Sequence, residues 1–236
     1  MVRAGLTVER IVGAAAELAD EVGLDNVTLS ALARTFGVRD ASLYSHLRNL
    51  ADLRTRLCVL AADEMTERIA LAVAGRAGKD ALVAFADAYR AYALAHPGRY
   101  AAGQLQIDPA LAARSAGHRR SVALTMGMLR AYGLQEPDLT DAGRLLRSVF
   151  HGYADLDTRA GFSHPRSLDA SWYRALEALH QVLTNWPRTE APQPREDVQA
   201  TGTDTGTETG TETDTDAGTG QHPHQHLTEK ESTTHE

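Results

Sequence analysis

Apolar residues recur along the first 186 positions at steps of three and four, the period of amphipathic helices, so the chain reads as all-α. Ile11, Ala14, Ala15, Leu18 and Val22 make one stripe behind Thr7. The Thr7 hydroxyl can accept from a free N–H of the first turn, which predicts a helix over 8–22. Leu29, Leu32, Ala33 and Phe36 make a second stripe behind Thr28, and Gly37 stops it where positive φ is needed. Leu43 and Leu47 are the buried face of a third helix opened by Arg39 or Asp40. Asn49 caps a long fourth helix to about Val73, packed through Leu53, Leu57, Leu60 and Ala61. After the 75–79 break Asp80 caps a fifth, with Leu82, Phe85, Ala86, Tyr89, Tyr92 and Ala93 apolar. His96-Pro97 stops it, because proline disfavours helix in the residue before it, and a short segment follows to about Ile107. Pro109 suits a first helical turn and opens one helix through about Ala131. Asp138 to about Ala160 is the next, with Leu139, Ala142, Leu145, Leu146, Val149, Phe150, Tyr153 and Leu156 inward. The last, Asp169 to about Asn185, places Trp172, Leu176, Leu179, Leu183 and Trp186 at steps of four, three, four and three. Such a seam is either internal core or a partner face.

The second and third helices with Gly37 between them have the form of a DNA-binding helix-turn-helix, whose second helix enters the major groove. With the leucines inward, Arg39, Ala41, Ser42, Tyr44, Ser45 and His46 point away from the core. Thr28, Tyr44 and Arg48 are expected on phosphates. Arg39, Ala41, Ser42 and His46 are expected at base edges, with Arg39 able to grip a guanine bidentately.

Residues 7–60 resemble the DNA-binding domain of TetR-type bacterial transcriptional regulators. The resemblance rests on the first helix, the Gly23-Leu24 break, Thr28-Leu29-x-x-Leu32-Ala33, Gly37-Val38 and Ser42-Leu43-Tyr44-x-His46-Leu47. Many relatives have a phosphate-touching lysine near the start of the fourth helix. Leu50 stands there in this chain, and Arg48 or the helix N-terminus would hold the phosphate instead. Farther on, Phe150-His151-Gly152-Tyr153 and the 91–100 segment resemble a subgroup of the family known by a Trp-His-Gly tripeptide, with Phe in place of Trp.

The resemblance implies an N-terminal three-helix DNA-binding domain followed by a helical effector-binding and dimerisation domain. In this family the last two helices pack with those of a second subunit. That places Leu145, Val149, Trp172, Leu176, Leu179 and Leu183 at a homodimer interface, where Gly143 and Gly152 permit close approach. The effector pocket would take Phe85, Tyr89, Tyr92, Tyr100, Met126, Phe150 and His151. It reads as mostly apolar with few polar anchors, suited to a hydrophobic or aromatic effector. The expected function is a ligand-released homodimeric repressor on a near-palindromic operator in double-stranded DNA.

Charge changes the picture in one respect. The net formal charge is −7, but residues from Thr189 onward hold eleven acidic and two basic side chains, leaving +2 for residues 1–188. Residues 1–60 balance seven Arg against seven Asp or Glu, so a DNA-binding face requires segregation of charge. One cysteine, Cys58, permits no internal disulfide and reads as a small buried hydrophobe. No apolar run reaches the roughly 20 residues of a membrane span, so the protein is expected in the cytoplasm, away from membranes.

Three segments are expected: 1–50 the DNA-binding domain, 51–187 the effector and dimerisation domain, and 188–236 a disordered acidic Thr/Gly-rich tail with too few apolar residues to offset its ordering entropy. Arg3 lies on a short arm able to reach DNA. Two other functions compete. Neutral residues 1–60 and Leu50 suit a protein-interaction module that no longer binds DNA. His151 and Asp155, at i and i+4, suit an acid/base pair. The chain has no Gly-x-Ser-x-Gly, no phosphate-binding Gly-rich loop, no His-Glu-x-x-His and no cysteine pair, so no enzyme, cofactor or metal is expected. His222, His224 and His226 read as an incidental polar tail.

Overall fold

A computed structural model describes residues 5–187. The acidic tail, its three histidines and Arg3 lie outside the described residues. Among those described, regular structure is helical throughout. The helices are α1 (Val8–Val22), α2 (Leu29–Phe36), α3 (Asp40–Leu43), α4 (Leu50–Val73), α5 (Gly78–Ala95), α6 (Pro97–Gly103), α7 (Pro109–Arg114), α8 (Ala116–Arg130), α9 (Asp138–Thr158) and α10 (Leu168–Thr184).

Local chemistry sets most of these ends. Thr7 accepts from Arg10 N at 3.3 Å, Thr28 from Ala31 N at 3.1 Å and Asn49 from Asp52 N at 2.9 Å, each filling an orphan donor of a first turn. Gly37 closes α2 at φ 65°, ψ 34°. The Gly37 and Val38 amides bond back to Arg34 O and Ala33 O, the paired return bonds that satisfy the last carbonyls.

Four expectations change. Asp80 does not cap α5. That helix begins two residues earlier, at Gly78, and Asp80 lies in its first turn, where a carboxylate favours the positive end of the dipole. The segment after His96 is itself a helix, α6, started by Pro97. The single helix expected from Pro109 is two, because Ser115 leaves helical φ/ψ and caps α8 through His118 N. The third helix is short: α3 ends at Leu43, and residues 44–46 form a turn in which Leu47 N still reaches Leu43 O at 2.9 Å.

Two hydrophobic cores result. One joins α1–α3 to the start of α4 through Ile11, Ala15, Leu32, Leu43, Leu53 and Leu57. The other gathers Ile69, Phe85, Leu129, Leu146, Phe150 and Trp172 from α4, α5 and α8–α10. Helix α4 therefore belongs to both. Cys58 is buried, and its thiol faces Leu105 O at 3.7 Å.

The α10 seam lies inside the second core. Trp172, Leu176, Leu179 and Leu183 are each at most 6% exposed, so they are occupied within their own subunit and cannot form a partner face. Helix α5 packs on α10, and the Trp172 indole N–H donates to Asp87 of α5 at 2.7 Å. Leu145 and Val149 are only half buried, on the edge of the same core.

Candidate DNA-reading face and effector cavity

The helix-turn-helix presents its predicted face. Thr28, Arg39, Ala41, Ser45 and Arg48 are exposed, Tyr44 is 57% exposed, and Ser42 and His46 are half buried. Two contacts hold that face. The Ser30 hydroxyl donates to the Asp40 carboxylate and ties α2 to α3. The Ser45 hydroxyl donates to Ser42 O at 2.7 Å. Arg39 precedes α3 in extended backbone, leaving its side chain free of the helix.

The N-terminus of α4 is already filled. Asp52 accepts from Arg48 N at 3.1 Å and pairs with Arg56 at 3.3 Å and Arg48 at 3.5 Å. Burial alone would raise the Asp52 carboxyl, but the Arg48 N–H and the two guanidinium groups outweigh it and hold its pKa below the ordinary value. A carboxylate so placed competes with a phosphate for the helix end, while the Arg48 guanidinium beside it stays largely exposed.

A cavity of about 630 Å³ opens beside α4, α5, α8 and α9. Its inner wall includes Met65 and Ile69 of α4, Phe85 and Tyr89 of α5, and Leu146 and Phe150 of α9. Phe85, Tyr89, Met126 and Phe150 thus line it as expected. Tyr92, Tyr100 and His151 do not. Tyr92 is turned toward the α4 side, where its hydroxyl donates to Glu64 at 3.1 Å and Arg68 stacks on its ring. Tyr100 stands behind Tyr89. Their hydroxyls are 3.0 Å apart, and the Tyr100 hydroxyl is 2.6 Å from His151 Nδ1. Burial pushes both phenols above their ordinary pKa, so this relay stays in its neutral O–H form. His151 is therefore engaged by Tyr100, and Asp155 by Arg159 at 2.9 Å. No hydrogen bond or ion pair joins His151 to Asp155 as the acid/base reading required.

The polar lining departs most from expectation. His118, Arg119, Arg144 and Arg147 line the cavity together with Gln104, Thr125 and Thr140. A signal was present in the sequence: Gly143, Arg147 and Phe150 share one α9 face at helical spacing, so a cation interrupts an apolar stripe.

The cavity and the DNA-reading module meet at α6. Gly98 packs on α1 so closely that a Cβ there would overlap the Ala19 carbonyl and stand 2.5 Å from Asp20 N. Beside it, the Asp20 carboxylate accepts from Arg99 N at 2.8 Å and pairs with Arg99 Nε at 3.2 Å and His96 Nδ1 at 3.1 Å. Among the described residues no group of three or more His, Cys, Asp or Glu could hold a metal ion, and no helix is long and apolar enough to cross a membrane.

Comparison with known proteins agrees with both halves. Residues 11–56 match the model for bacterial regulatory proteins of the tetR family, and residues 82–179 match that for the tetracyclin repressor-like C-terminal domain. The uncharacterized HTH-type transcriptional regulator YobS of Bacillus subtilis is 33% identical over 167 residues, which are 70% of this chain and 86% of YobS. Two solved structures share the fold. ActR of Streptomyces coelicolor in complex with actinorhodin is 20% identical with a TM-score of 0.60, over 77% of this chain and 98% of ActR. A TetR variant of Acinetobacter baumannii in complex with minocycline is 21% identical with a TM-score of 0.62, over 78% of this chain and all of that one. A helix-turn-helix with its polar face outward, a helical cavity domain behind it and relatives matched along most of the chain place this protein in the TetR family of bacterial transcriptional regulators.

Proposed function

We propose that the protein is a homodimeric, ligand-released repressor. The observation that carries the reading is the shared framework of cavity and DNA module. Met65 and Ile69 of α4 line the cavity, while Leu53 and Leu57 of the same helix lie in the helix-turn-helix core. Tyr89 in the cavity wall is bonded to Tyr100 of α6, and α6 rests on α1. A ligand that prefers one placement of α4 and α6 changes the spacing of the two reading heads. It shifts that balance only by its differential affinity for the two arrangements.

In the dimer, two α3 segments enter successive major grooves about 34–36 Å apart, and the operator is near-palindromic. With the α10 seam occupied internally, the subunits meet through outward faces. On α9, Leu145, Val149, Gly152 and Leu156 form one stripe at steps of four, three and four, and nothing approaches the position of a Gly152 Cβ within 4 Å. On α10, Ala178 and Val182 are exposed at the same spacing.

Selection of bound sequences from random duplex DNA at low salt tests the reading. A two-fold related site is expected, and no enrichment by folded, unliganded protein would sink it in favour of the protein-interaction alternative. Arg39→Ala is expected to cost about 1–3 kcal/mol at one position of each half-site and to relax base preference there. An unchanged binding profile removes Arg39 from the reading set.

A further inference from the structure

We infer that the cavity takes an anionic amphiphile: an apolar aliphatic or aromatic body against the inner wall and a carboxylate, or an oxyanion of the same charge, at its cationic mouth. The inference deepens the effector reading above and rests on it.

The lining carries the argument. Three arginines and a histidine face the cavity and no Asp or Glu does, in a chain whose net charge is −7. The cations differ in how far they are already neutralised. Arg144 pairs with Asp141 at 3.1 Å. Arg119 is positioned by backbone rather than by charge: its Nη1 donates to Ala113 O at 3.1 Å and to Arg114 O at 2.7 Å, which aims the guanidinium without offsetting it. Arg147 meets no carboxylate among the described residues. It acts electrostatically on the Tyr89 and Tyr100 phenols, which burial keeps neutral. His118 is held through Nδ1 against Ser115 Oγ at 3.0 Å.

The positions of these groups give the ligand a direction. Arg119, Arg144 and Arg147 are exposed, so they stand at the solvent side, whereas Phe85, Tyr89, Leu146 and Phe150 are buried. A planar guanidinium presents parallel N–H donors that match a carboxylate or phosphate bidentately, and beside an apolar wall that bond is stronger than in water. A cationic ligand would meet like charge with nothing to offset it. A neutral apolar ligand would leave the three arginines unused and would strip part of their hydration. The volume, about 630 Å³, lies within the range of ordinary small-molecule sites.

Isothermal titration of the full-length protein with matched probes tests the inference. The probes are decanoate, decanol and decyltrimethylammonium for an aliphatic body, and 2-naphthoate and 2-naphthol for an aromatic one. In at least one series the acid is expected to bind tenfold or more tightly than its alcohol, with the ammonium weakest. Arg147→Gln should remove most of the acid-over-alcohol preference and Arg147→Lys should restore much of it. Equal binding of acid and alcohol in both series overturns the inference. So does tighter binding of the ammonium, or no binding of any probe at millimolar concentration. Acid preference that survives Arg147→Gln removes Arg147 from the site. Repeating the titration on the complex with selected operator DNA separates this inference from the one beneath it. Acid binding without DNA release defeats the repressor mechanism and leaves the anion preference standing. Release by a neutral ligand with the acids ignored defeats the anion preference alone.

Discussion

Gly98→Ala is expected to lower the melting temperature by about 2–12 °C and to weaken operator binding. The added methyl has no room: it would overlap the Ala19 carbonyl and crowd Asp20 N, both of them α1 backbone that cannot rotate away. Overpacking of this kind costs about 1–3 kcal/mol, which in a chain of this size corresponds to the stated shift. Relief requires α6 to lift off α1. That movement opens the Asp20 contacts with His96 and Arg99, and it tilts the first helix of the DNA module. Differential scanning calorimetry and fluorescence anisotropy on an operator duplex measure the two effects. Gly127→Ala is the control, because nothing lies within 4 Å of its Cβ position and it sits inside α8. There alanine should be neutral or stabilise by about 0.5–1 kcal/mol, since glycine loses more backbone entropy in a helix. If Gly98→Ala behaves like Gly127→Ala, the α1–α6 contact is not a tight one and loses its place in the coupling.

Trp172→Ala should cost about 3–5 kcal/mol and leave the association state unchanged at temperatures where the protein is still folded. The indole is wholly buried. Its ring centroid lies 5.0 Å from Tyr153 and 6.0 Å from Phe150, the Arg90 guanidinium stands 5.5 Å away, and its N–H donates to Asp87. Removal empties a large volume in the second core and leaves the Asp87 carboxylate short of a donor. It also removes the ring on which Arg90 rests while bridging Asp157 of α9 at 2.8 Å and Asp169 of α10 at 2.8 Å. Three helices lose one joint. Thermal denaturation measures the stability, and sedimentation velocity measures assembly. A variant that keeps its melting temperature but becomes monomeric would return Trp172 to a partner face and overturn the internal assignment.

Much of this architecture was legible in the chain because it is governed by neighbours in sequence. The bounds of α1 and α4, the Thr7, Thr28 and Asn49 caps, the left-handed Gly37 and the outward Arg39 and Tyr44 follow from side chains acting within a turn or two of themselves. Periodicity separated most inward from outward residues, since spacing fixes a helix face, but it also put Val22 and Leu156 inward, and both are 44% exposed. The break at Ser115 carries a weak signal, a cap-forming Ser with Gly two residues on, set inside an apolar pattern that a single helix also satisfies. The α6 helix was missed because Pro97 signals both the end of one helix and the start of the next.

Which partner each apolar face meets was decided only in three dimensions. The 172–183 seam has the same spacing whether it meets α5 of its own subunit or a helix of another, and burial assigned it to its own. Tyr89 and Tyr100 are alike in sequence, yet one lines the cavity and the other stands behind it. The cationic lining was least accessible, because Arg119 and the pair Arg144 and Arg147 come from separate helices, and their convergence is a property of packing. The sequence by itself determined the helices, their caps and the exposed reading face, all set by local hydrogen bonding and spacing. Tertiary structure alone decided the cavity's charge and the fate of the terminal seam, because both depend on contacts between residues far apart in the chain.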